Sequence, residues 1–94
     1  QNCYIKATTA WDTELGNQYK LLMKDQPENV RTTLRDSQRQ WIKYRDLYNK
    51  GIEAFYQKEE GTIWSLIAAE SKMNIIRDKT LDLYRLRNST NLGG

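Results

Sequence analysis

The chain has 94 residues, one cysteine, no histidine and one proline, with a formal net charge of +3; this is one domain's length, without the commonest general base and metal ligand. A single cysteine excludes an intrachain disulfide and a four-cysteine zinc site. Charged residues reach 29% and apolar ones only 38% at a mean hydropathy of −0.86, and no run approaches the ~20 apolar residues of a bilayer span.

Five glycines and one proline leave few helix breakers, while three Trp, six Tyr and one Phe supply the apolar area of a small core. Residues 4 to 25 read as a first helix, with Tyr4, Trp11, Leu15, Tyr19 and Leu22 at helical spacing. Asp25-Gln26-Pro27-Glu28 ends it and starts another, because proline suits a first helical turn and Asp25 with Glu28 has capping-box spacing. A second helix follows over 27 to 59, its seam formed by Val30, Leu34, Trp41, Tyr44, Tyr48, Ile52 and Phe55; Gly51 is placed to bend it or admit a close neighbour. Gly61 is the expected stop in a left-handed conformation, and Thr62 the expected cap of the next helix.

The third helix runs from 63 to 87, where Leu66, Ala69, Met73, Ile76, Thr80 and Leu83 alternate in steps of three and four and Ile63, Ile67, Tyr84 and Leu86 widen the apolar face. Residues 88 to 94 form a polar tail. These elements predict one all-α domain over 1 to 94, an elongated antiparallel three-helix bundle with a long central helix. A helix of about 50 Å cannot be covered evenly by so short a chain, which leaves apolar surface for a partner or a second copy.

The residues that could carry chemistry are few. Cys3 lacks a histidine to activate it and reads as a free or intermolecularly paired thiol. Glu59 and Glu60 are adjacent in a turn, where neighbouring side chains point apart, so no catalytic carboxylate pair is expected. Asn88-Ser89-Thr90 matches a glycosylation acceptor but reads as a polar helix end. The sequence pI of about 9.1 invites a nucleic-acid reading, and Arg31, Arg35, Arg39 and Lys43 form a basic row. Asp36 and Asp46 sit beside that row, so it reads as a solvated helix face and no nucleic-acid partner is expected. Neither an enzymatic activity nor a cofactor is expected.

The densest signal is Gln38-Arg39-Gln40-Trp41-Ile42-Lys43-Tyr44-Arg45-Asp46. Trp41 and Arg45 are four apart, so the guanidinium can lie over the indole, and Arg45 or Asp46 is expected to clamp a neighbouring helix by a hydrogen bond. Gln-Arg-x-Trp-x-x-x-Arg-Asp at 38 to 46 resembles the signature of the LprI-like lysozyme-inhibitor family of small secreted bacterial domains. Asp12, Leu15, Tyr19 and Leu21-Leu22-Met23 resemble that family's first helix, Gly61-Thr62 its turn, and Arg77-Asp78-Lys79-Thr80 with Leu83 its closing helix. The resemblance covers roughly residues 3 to 84. It departs at Asn49 and Ser71, where the family carries further cysteines, so the family disulfide cannot form and Cys3 stays without its partner; it departs also at Gly16 and Ser65.

The resemblance implies a periplasmic or secreted, non-enzymatic protein that binds a protein partner, a lysozyme. It implies a structural role for Gln38, Arg39, Trp41, Arg45, Asp46, Arg77 and Thr80, which fall mostly on seam positions. The partner-binding element expected is the turn Lys58, Glu59, Glu60, Gly61 and Thr62, with Lys58 free to meet a carboxylate of the lysozyme cleft. A net charge of +3 opposes steering toward a cationic lysozyme. The alternative is a helical interaction module of the envelope, binding another protein or itself.

Overall fold

The computed structural model describes residues 2–92 and places them in three helices: α1 (Asn2–Met23), α2 (Glu28–Gln57) and α3 (Ile63–Asn88). No strand occurs among the described residues. At ~1.5 Å per residue α2 is about 45 Å long and sets the long axis of a 50 × 26 × 19 Å body. The all-α elongated bundle expected from sequence is therefore the fold. Gly93 and Gly94, at the end of the expected tail, lie outside the described residues, whereas Asn88 is still helical and its Nδ2 donates to the Tyr84 carbonyl oxygen at 2.8 Å.

The helix ends differ in mechanism from the expected ones. Asp25 does not cap α2; it takes the left-handed conformation (φ 64°) just beyond α1, which aspartate tolerates better than most residues. The cap of α2 is Pro27, whose extended backbone carries no side-chain cap bond but whose carbonyl oxygen accepts from the Arg31 N–H at 3.0 Å. Proline disfavours helical backbone in the residue before it, so α1 and α2 cannot fuse. Thr62 likewise makes no side-chain cap bond; its carbonyl oxygen accepts from the Ser65 hydroxyl at 2.9 Å.

Register shows how the helices are arranged. Thr80 Oγ1 lies 3.3 Å from the Trp11 carbonyl oxygen and Arg87 Nε donates to Gln18 Oε1 at 3.1 Å, both pairs 69 residues apart. Hence α1 and α3 run parallel. Tyr56 stacks on Trp64 at 5.9 Å while Lys72 pairs with Glu53, so α2 runs antiparallel to α3. The path is up, down, up. The long helix is central only in sequence; in space α3 is the spine, joined extensively to α1 and more sparsely to α2.

The core sits between α1 and α3, where Leu15, Leu22, Ile76 and Leu83 are buried together and Trp11, Tyr19, Leu34, Trp41 and Ile75 pack against them. Thr80, 2% exposed, is the most deeply buried side chain, and its hydroxyl also lies 2.8 Å from the Ile76 carbonyl oxygen, so its proton has a partner inside the core. Buried Gln18 accepts from Arg87 and donates to Glu14 Oε2 at 2.7 Å. Those donors, Gln18 first and Asn17 second, hold the Glu14 carboxyl below its ordinary range.

The inward face of α2 is where sequence and structure part. Val30, Leu34, Trp41 and Ile52 turn inward as expected, but the rest of the face is Gln38, Arg45, Asn49 and Tyr56. Tyr44, Tyr48 and Phe55 are exposed instead. Gly51 admits no neighbour: nothing lies within 4 Å of the position its Cβ would take. On α3, Ile63, Tyr84 and Leu86 are also exposed and do not widen the packed face. Asn49 Oδ1 is buried without a hydrogen-bond partner, a weak point of the α2 to α3 interface.

Candidate functional site

The turn between α2 and α3 lies at one end of the long axis. Helix α2 stops at Gln57, two residues before the expected end, so Lys58 and Glu59 belong to the turn. Gly61 takes φ 106°, a value side-chain-bearing residues rarely adopt, and this reverses the chain within a few residues. Lys58 Nζ sits 4.1 Å from the centre of the Phe55 ring and 3.4 Å from Glu59, which gives an otherwise mobile ammonium a defined position. Glu60, Gly61 and Thr62 are exposed. Glu59 and Glu60 form no facing carboxylate pair, because Glu59 is engaged by Lys58.

The turn opens onto a groove of about 770 Å³. It exists because α1 and α2 diverge at this end and leave the small side chains Ala68 and Ala69 of α3 as its floor. Tyr4 and Thr8 form one wall, Glu53 and Tyr56 the other, and Trp64, Glu59 and Gly61 close the end nearest the turn. Of the five turn residues singled out in the sequence, the structure brings Glu59 and Gly61 to the groove. Tyr4, Glu53, Trp64 and Lys72 were missed as site residues. Glu53 and Lys72 are 19 residues apart, and only the antiparallel pairing of α2 with α3 joins them.

Donation from Lys72 holds the Glu53 carboxyl below its ordinary value of 4.5. A lowered folded value means that the pair stabilises the fold above about pH 4.5, and that this contribution is lost as pH falls through the lower folded value. In a carboxyl-carbon NMR titration the Glu53 midpoint falls below 4.5, and Lys72→Met returns it toward that value. An unmoved midpoint in the variant refutes the pairing.

The signature residues lie elsewhere. Trp41 packs on the core with the Arg45 guanidinium 5.5 Å from its ring centre. Arg45 makes its ion pair within α2, to Asp46 at 2.9 Å, and not to a neighbouring helix as expected; the half-buried guanidinium reaches back to the surface along its own helix. Arg39 and Arg77 pair at the surface with Asp36 and Asp78, and Gln38 is half-buried. Arg31, Arg35, Arg39 and Lys43 are all exposed. Cys3 is exposed and free.

Among the described residues no group of side chains could hold a metal ion, and no helix is long and apolar enough to cross a membrane. No curated protein and no solved structure matches the chain. The family model described as lysozyme inhibitor LprI matches residues 1–83. With its three helices and that match over most of its length, the chain belongs to the LprI lysozyme-inhibitor family.

Proposed function

We propose that the protein acts in the bacterial envelope, in the periplasm or outside the cell, by binding a lysozyme and occluding its sugar-binding cleft without catalysing a reaction. Family membership supports the lysozyme. The observation that carries the mechanism is the exposed turn at the tip of an elongated bundle, fixed by Gly61 and by the contacts of Lys58. Such a tip fits a concave cleft, and Lys58 meets carboxylates there as a positioned cation. The groove behind the turn gives the cleft's rim an apolar seat on Tyr56 and Trp64.

Charge does not oppose this geometry. Lys6, Lys50, Lys58 and Lys72 balance Glu53, Glu59, Glu60 and Glu70 over residues 2–10 and 50–72, so the turn end is neutral and the excess of +3 lies along the rest of the bundle. Screening over about 8–10 Å at ordinary ionic strength separates that excess from a partner bound at the tip. A cationic lysozyme therefore meets a locally balanced surface.

The test is a calorimetric titration and a lytic assay against several lysozyme types. Nanomolar to micromolar binding with loss of lysis is expected from at least one, and Lys58→Glu weakens it at least tenfold, about 1.4 kcal/mol or more, with an unchanged melting temperature. No heat and no loss of lysis with any type refutes the function; full inhibition by Lys58→Glu refutes the tip as the contact.

A further inference from the structure

Helix α2 carries a second stripe that the bundle leaves half or more exposed. Tyr44, Leu47, Tyr48 and Phe55 are 55%, 71%, 50% and 58% exposed, on the helix joined most sparsely to the rest of the fold. Tyr44 and Tyr48 stack on each other at 5.6 Å with ring planes 12° apart, so the patch is already ordered. Residues 44, 48, 51 and 55 step by four, three and four, the spacing of a helix-pairing seam. At its middle Gly51 has open space where a side chain would stand, and Ala54 beside it is small.

We infer that a second copy of this chain covers the stripe, as an antiparallel pair of α2 helices related by a two-fold axis at Gly51. The arrangement is self-complementary, as an isologous interface must be. An axis at Gly51 sets Tyr48 of one copy, three residues before it, against the small Ala54 of the other, three residues after it, Leu47 against Phe55, and the two Gly51 backbones against each other at close approach. Large meets small in one pair and leucine meets an aromatic ring in the other.

The area suits a reversible dimer. Four side chains of this size, each half or more exposed, present roughly 400–500 Å² per copy, and with their flanks the pair reaches about 1,000 Å², the lower edge of a specific interface. Contiguous apolar patches of several hundred Å² on a small protein ordinarily mark an interaction surface. The stripe ends at Phe55, against whose ring Lys58 lies at 4.1 Å, so the pairing covers Lys58, and the turn is open only in the monomer, at concentrations well below the midpoint of pairing. The inference stands without the lysozyme reading.

Sedimentation equilibrium and cysteine cross-linking test it. The native chain is expected to move between 11.1 kDa and twice that mass with a midpoint of roughly 10–100 µM. In a Cys3→Ser background, Gly51→Cys cross-links under mild oxidation at least tenfold faster than Glu70→Cys, an exposed position on α3 away from the stripe. Tyr48→Glu and the more exposed Leu47→Glu are each monomeric while keeping helical circular dichroism. A strict monomer up to about 1 mM overturns the inference, as does equal cross-linking at 51 and 70, or a dimer that survives both glutamates. If the native chain is monomeric and Leu47→Glu abolishes lysozyme binding, the stripe is the lysozyme face and the pairing is refuted. Failure of lysozyme inhibition well below the midpoint, with the dimer formed above it, would remove only the proposed function.

Discussion

Leu83→Ala lowers stability by about 3 kcal/mol, and the thermal midpoint falls by roughly 12–24 °C for a domain of this size. Leu83 is 4% exposed and sits with Leu15, Leu22 and Ile76 where α1 and α3 meet along their length. Truncation removes apolar burial and leaves a cavity that two rigid parallel helices cannot collapse. In so small a protein that is a large share of the total stability. Leu81 is the internal comparison: it lies two residues away on α3 but is 37% exposed, and Leu81→Ala costs less than about 1 kcal/mol. Urea unfolding followed by circular dichroism measures both. A loss below about 1 kcal/mol in Leu83→Ala would mean that the α1 to α3 interface is not the core.

Trp41→Ala costs about 2–3 kcal/mol, less than a fully buried tryptophan because the indole is half-buried. The loss combines the packing of Trp41 on the core with its contact to the Arg45 guanidinium. Since α2 is joined to the bundle more sparsely than α1, removing its largest inward side chain loosens the helix that leads into the turn. Lysozyme inhibition at a temperature where the variant is folded should be unchanged, because Trp41 lies well down α2 from Lys58. If Trp41→Ala keeps its melting temperature and loses inhibition, the signature is a recognition surface and its packing role is wrong.

The three helices were legible because the chain is poor in breakers and its apolar residues recur in steps of three and four. Trp11, Leu15, Tyr19 and Leu22 on α1, and Ile76, Thr80 and Leu83 on α3, fall on the packed faces that spacing predicts. Helix α2 misled because it carries two stripes of helical spacing, and counting apolar side chains selects the aromatic one. The structure packs the other, in which Gln38, Arg45 and Asn49 share a face with Trp41 and Ile52. Long polar side chains do this when their stems lie against the core and their ends reach the surface. The candidate turn was legible from Gly61 alone. The groove was not, since it depends on where α1 and α2 diverge, and local spacing does not say which helices meet.

The parallel pairing of α1 with α3 has a consequence for how the protein is made. Its principal contacts join the first helix to the last, as in Thr80 with Trp11 and Arg87 with Gln18, 69 residues apart. Closing a loop of that length costs on the order of 4 kcal/mol in chain entropy before any core forms. Helix α1 therefore has no adequate packing surface until α3 is complete, and a half-synthesised chain has none of the fold's stability. The architecture delays folding of α1 and α2 until α3 has been made.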